Sequence, residues 1–122
     1  MGIKSVDIGM SHRGRLATLA CVARKLPSEI FLDFDQTNPE ITEKNNNLLD
    51  FVGDTAVHQP ASTRLILENG EKMVVNIVPN ACHLESIDPI LLGSIKGKQD
   101  MKNKPLEEVL PVMIHGDSSI TG

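Results

Sequence analysis

The sequence predicts an α/β fold: a mostly parallel sheet flanked by helices, with one hairpin built into it. Three observations carry that prediction. A short strand pattern near the start runs straight into a helical one, Asn69-Gly70 separates two apolar runs, and a late apolar run breaks into His115-Gly116-Asp117. Alternation at period two marks half-buried strands and apolar residues every three or four positions mark a helix face. A strand, a helix and a later strand make a βαβ unit, whose strands are parallel.

Val6, Ile8 and Met10 alternate with Asp7 and Gly9, and Ser11-His-Arg-Gly14 ends that strand. Leu16, Leu19, Ala20, Ala23 and Leu26 then share one face of a helix starting at Arg15. Pro27 is expected to stop it, and Ser28 to cap a second short helix through Phe34, with Glu29 in its first turn. Residues 35–63 lose periodicity and are rich in Asp, Asn, Thr and Pro, so they read as a long loop. Arg64–Glu68 and Lys72–Val78 read as hairpin strands, because Asn-Gly suits a tight turn with positive φ at both positions. Pro79–Glu85 is another break. Asp88-Pro89 opens a helix carrying Ile90, Leu91 and Ile95, weakened by Gly93 and Gly97, and Lys98–Lys104 reads as a solvated charged stretch. Leu106–Leu110 leads into a buried strand over Val109–Ile114.

The chain has 122 residues, enough for one domain. Aromatics are only 2 % with no Trp or Tyr, so the core is aliphatic and offers no platform for stacking bases. A net charge of −4 argues against a nucleic-acid or anionic membrane surface. Cys21 and Cys82 are too few and too far apart for a disulfide scaffold, which points to a reducing compartment. No run is long enough to span a bilayer and no apolar leader precedes the first strand. A bacterial cytoplasm or a mitochondrial matrix is therefore the expected location, and secretion is not expected.

All four histidines, His12, His58, His83 and His115, fall at breaks, and three of them follow strands directly. If those strands are parallel, His12, His83 and His115 meet at one edge together with Cys82 and Asp117, which is where open α/β sheets bind ligands. A single carboxylate after a strand is often only a helix cap, yet it also suits Mg²⁺, which takes one or two carboxylates plus phosphate oxygens. A zinc site of His, Cys and Asp lacks the usual close ligand spacing. Cys82 and His83 are adjacent, so their side chains diverge in extended chain and make a poor nucleophile–base pair. Arg13 and Arg15 flank Gly14 at a helix start and could form an anion site or a solvated positive loop.

Four collinear segments resemble one known family. Ile8-Gly-Met-Ser-His-Arg-Gly-Arg-Leu16 resembles the Gly-Met-x-His-Arg-Gly-Arg-Leu segment of the decarboxylating component of 2-oxoglutarate dehydrogenase. Asn80-Ala-Cys-His-Leu-Glu85 before Asp88-Pro89 resembles its Asn-Pro-Ser-His-Leu-Glu…Asp-Pro, and His115-Gly-Asp-Ser-Ser resembles its His-Gly-Asp-Ala-Ala. Gly53-Asp54 with His58 resembles its Gly-Asp-x-x-x-His. The resemblance implies a partial thiamine diphosphate-binding domain spanning residues 1–122, on the side that takes the diphosphate. It implies decarboxylation of 2-oxoglutarate on thiamine diphosphate with Mg²⁺, transfer of the succinyl group to a lipoyl-bearing acyltransferase, and a homodimer in the full-length family. Asp117 matches the Mg²⁺ ligand and Ser118 a diphosphate contact; Cys82, His83 and Leu84 match the loop along the cofactor. His12 and His58 match catalytic histidines, and Ser62 a substrate contact. The departures are Ala81-Cys82 for Pro-Ser, Ala17 for Asn, Ala56-Val57 for Lys-Tyr before His58, and Gln59-Pro60 for Leu-Gly after it. The expectation is an internal fragment, inactive by itself and binding the cofactor weakly or not at all. The alternatives are a component acting on 2-oxoadipate, a small metal-binding or hydrolytic domain built on the strand-end histidines, and a non-catalytic interaction module.

Overall fold

The computed structural model describes residues 2–32, 58–79, 86–102 and 108–117. Its centre is strand β1 (Ser5–Met10), which pairs in parallel with β3 (Lys72–Ile77) on one side and β4 (Val109–Ile114) on the other. Strand β2 (Ala61–Ile66) lies antiparallel beyond β3, giving the sheet order β2-β3-β1-β4. Among the described residues the remaining elements are helices α1 (Arg15–Cys21), α2 (Pro27–Leu32) and α3 (Ile87–Lys102). This is the mostly parallel α/β sheet with one hairpin that the sequence predicts.

Side-chain alternation along β1 gives each face of the sheet its own cover. Ile8 and Met10 pack with Leu19, Ala23, Ile30, Val75 and Ile77 in an aliphatic cluster between the sheet and α1–α2. The opposite face of β1 presents Asp7 and Gly9 to α3, whose Ile87, Leu91 and Ile95 are buried at four-residue spacing. Gly9 is required there by close approach: a Cβ would sit 3.2 Å from both Ile87 Cγ1 and Leu91 Cδ2.

Several boundaries differ from expectation. Helix α1 ends at Cys21 rather than continuing to Leu26. The chain turns through Arg24 at φ 56°, with Ala23 N–H bonding back to Thr18 O (3.1 Å) and Lys25 N–H to Leu19 O (2.9 Å). Pro27 opens α2 instead of only ending α1, because the first turn of a helix does not need its N–H. Strand β2 begins at Ala61, inside the stretch read as loop, because residues 61–63 gain partners on β3. The hairpin turn has positive φ only at Gly70. Gly70 N–H bonds to Leu67 O (2.9 Å) and Leu67 N–H to Glu71 O (2.8 Å), a three-residue loop with a glycine bulge rather than a two-residue turn. Asn69 supports it through its side chain, which accepts from Glu71 N–H at 3.0 Å.

Lys98–Lys104 is not wholly solvated. Helix α3 continues to Lys102, Gln99 is buried, and Lys98 reaches under the helix to Asp7. Strand β4 is not the buried strand expected; Leu110, Met113 and Ile114 are 39–42 % exposed, as suits an edge with one paired neighbour among the described residues.

Candidate active site

Because β1, β3 and β4 are parallel, their carboxyl ends lie along one edge of the sheet. His12 follows β1 there, and His115 and Asp117 follow β4. The antiparallel β2 adds a residue that the strand-end pattern leaves out and only the resemblance includes. Ala61, at the start of β2, pairs with Ile77 at the end of β3, so His58, three residues earlier, enters at the same edge. The described part of the site therefore sets His12, His58, His115 and Asp117 along one edge of the sheet. Cys82, His83, Leu84 and Ser118 lie outside the described residues.

The breaks are tied to one another. Ser11 N–H donates to Ile114 O at 3.4 Å, joining the loop after β1 to the end of β4. Gly14 stands before α1 at φ 76°, where its missing Cβ makes the left-handed turn possible. His12 is exposed, and its carbonyl accepts the backbone N–H of Arg15 at 3.2 Å. His115 is largely buried and its Nε2 lies 2.8 Å from Asp88 Oδ1, which links the end of β4 to the first turn of α3. Replacing His115 by Phe is expected to cost about 1 kcal/mol, the usual worth of one such hydrogen bond, seen as a lower urea midpoint at unchanged slope.

Arg15 does not form an anion site with Arg13. Its side chain is fully buried, and Nη2 donates to Gln59 O (2.7 Å) and Val78 O (2.6 Å). Burial pushes its pKa below the ordinary arginine value. Arg13 is exposed.

Ser62 lies on the α3 side of β2, where its Oγ donates to Asn76 Oδ1 at 2.8 Å. It lines a groove of about 340 Å³ between the hairpin and α3, together with Pro60, Asn76, Pro79, Ser94 and Lys98. Beneath the groove is Asp7, fully buried, which accepts from Ser5 Oγ (3.0 Å), Asn76 Nδ2 (2.6 Å) and Lys98 Nζ (2.6 Å). The sequence offered Asp7 only as the polar half of an alternation; the sign that it would be buried was the helical stripe of α3 able to cover it.

Among the described residues no three His, Cys, Asp or Glu side chains gather as a metal cage. By its chemistry, a lone carboxylate such as Asp117 would suit Mg²⁺ completed by phosphate oxygens and water better than a closed zinc site. Among the described residues no helix is long and apolar enough to cross a membrane.

No family model matches the chain. It is 36 % identical over 127 residues to a multifunctional 2-oxoglutarate metabolism enzyme of Mycolicibacterium vanbaalenii, covering 99 % of this chain and 10 % of that protein. It is 33 % identical over 122 residues to the mitochondrial 2-oxoglutarate dehydrogenase of Dictyostelium discoideum, covering 99 % of this chain and 12 % of that one. With the 2-oxoglutarate dehydrogenase E1 component of Cupriavidus necator it shares 31 % identity over the same 99 %, again 12 % of the relative. The chain thus spans about a tenth of the length of these relatives.

Proposed function

The chain is homologous over its length to one segment of the 2-oxoglutarate dehydrogenase E1 components, and from that premise we propose that its carboxyl edge is the diphosphate-side half of a thiamine diphosphate site. The observation that supports this most is the gathering of His12, His58 and Asp117 at one edge, by strands whose directions are independent of the motif match.

Thiamine diphosphate, when bound, supplies the nucleophilic carbon and electron sink that decarboxylation of a 2-oxo acid needs. Asp117 would hold Mg²⁺ and so fix the diphosphate, with Ser118 a further contact. Cys82, His83 and Leu84 would lie along the cofactor. His12 and His58 would hold a substrate carboxylate and move a proton near it, work suited to an imidazole because each ring nitrogen can donate or accept. Ser62 would contact substrate from the groove side. In the whole protein the substrate would be 2-oxoglutarate, and the succinyl product would pass to a lipoyl-bearing acyltransferase, with two copies of the chain in the working enzyme.

Chemical-shift mapping of the labelled chain with Mg²⁺ and thiamine diphosphate tests the site. Weak binding or none is expected of this segment by itself, with any shifts concentrated at His12, at 82–84 and at Gly116–Ser118. Localised shifts confined to surfaces away from this edge, or stoichiometric zinc in the purified protein, would overturn the reading.

A further inference from the structure

Arg15 touches three segments of the edge at once. Its backbone N–H bonds to His12 O at 3.2 Å, and its guanidinium Nη2 bonds to Gln59 O at 2.7 Å and to Val78 O at 2.6 Å. Val78 is itself fastened to β1 through its N–H to Ile8 O at 2.9 Å. We propose that Arg15 is the positioning residue of this edge: it fixes the peptide next to His58 against the ends of β1 and β3, and so sets where the His58 ring stands relative to His12. This inference rests on the site proposed above and assigns it a residue that never touches substrate.

The side chain is a costly way to fill space. It is fully buried, and among the described residues it has no ion pair with a carboxylate and its Nε and Nη1 have no hydrogen-bond partner. An aliphatic side chain would occupy the same volume without burying a cation. What the guanidinium adds is a rigid donor that holds carbonyls from two chain segments through one nitrogen. Both carbonyls lie outside the strands' ladder pairing, so without Arg15 each would lose its buried donor. The segment has a second tether, since Lys25 Nζ donates to Gln59 Oε1. That bond belongs to Gln59, which stands where the family pattern has Leu. The loop after α1 thus helps hold the residue that follows His58.

Amide exchange and imidazole spectra of the 122-residue chain test this with Arg15→Met and Arg15→Lys. In Arg15→Met, the Gln59 and Ala61 amides should exchange at least tenfold faster and the His58 ring resonances should move toward unfolded positions. Amides of β1 and β4 should stay within threefold of the parent. Arg15→Lys, which keeps a buried donor without the planar fork, should recover part of both signals. If residues 59–61 and the His58 ring are unchanged, the proposal fails. It fails equally if β1 loses protection in step with residue 59, because Arg15 would then serve only the core. Should Arg15→Met not fold, Arg15→Lys decides: acceleration of threefold or more at 59 and 61 with β1 unchanged supports the proposal, and anything else overturns it. No cofactor or metal enters the measurement, so its outcome is separate from that of the cofactor mapping.

Discussion

Asp7→Ala is expected to lower stability by about 3 kcal/mol, at the low end of the cost of breaking a buried ion pair. Asp7 is fully buried and receives three side-chain donors, from Ser5, Asn76 and Lys98. Alanine would strand the Asn76 amide, while Lys98, 43 % exposed, could turn to water, which keeps the cost from the top of the range. Against a total of roughly 5–15 kcal/mol for a domain, that is a large fraction. Asp7→Asn keeps the shape and one acceptor, so about 1–2 kcal/mol is expected.

The same carboxylate sets an acid limb. Burial pushes its pKa up, but hydrogen bonds from Asn76, Lys98 and Ser5, with the Lys98 charge, outweigh burial and hold it below the ordinary value. A carboxylate depressed in the folded state adds stability that is complete above its unfolded pKa, about 3.9, and is lost as pH falls through its folded value. The parent's urea midpoint should therefore drop on acidification below about pH 4, and more steeply than that of Asp7→Asn. Equal slopes in the two proteins would show that Asp7 is not the group responsible.

Gly9→Val should cost nearly as much, about 3 kcal/mol, by overpacking rather than by lost polarity. The Cβ alone would meet Ile87 Cγ1 and Leu91 Cδ2 at 3.2 Å and Leu91 Cβ at 3.4 Å. Gly9→Ala asks these side chains to give by a few tenths of an ångström, for about 1 kcal/mol; valine adds two methyl groups with nowhere to go. Pairing Gly9→Val with Leu91→Ala should recover part of the loss, and strict additivity of the two changes would show that they do not meet.

Local pattern was enough for the parts of the fold in which neighbours in sequence decide burial. The alternation of Val6, Ile8 and Met10 and the spacing of Leu16, Leu19 and Ala20 both hold. Reasoning failed where a distant segment decides. Residues 61–63 are not apolar enough to announce a strand, and become one because β3 supplies partners. Lys98 and Gln99 look solvated by type, yet Gln99 continues the Ile87, Leu91, Ile95 stripe at the next fourth residue, a signal that charge obscured. At the site, His12 and Asp117 could be placed from strand-then-break patterns alone. His58 reaches the edge only through the reversed direction of β2, and Arg15 read as a surface cation because nothing local shows that two carbonyls wait for it.

The central place of β1 also bears on how the protein is made. Ser5 of the strand that organises the sheet pairs with Val74 and Val109, and among the described residues nothing nearer in sequence offers it a ladder. Such distant pairings are slow to form, because long loops must close before any contact rewards them. During synthesis an apolar strand would stand open until β3 emerges, and its second side until β4 does. The hairpin of β2 and β3, closed by a short local turn, can form first and present the template on which β1 docks. Folding of this unit is thus expected to be late and cooperative, with its waiting strand a natural client for chaperones.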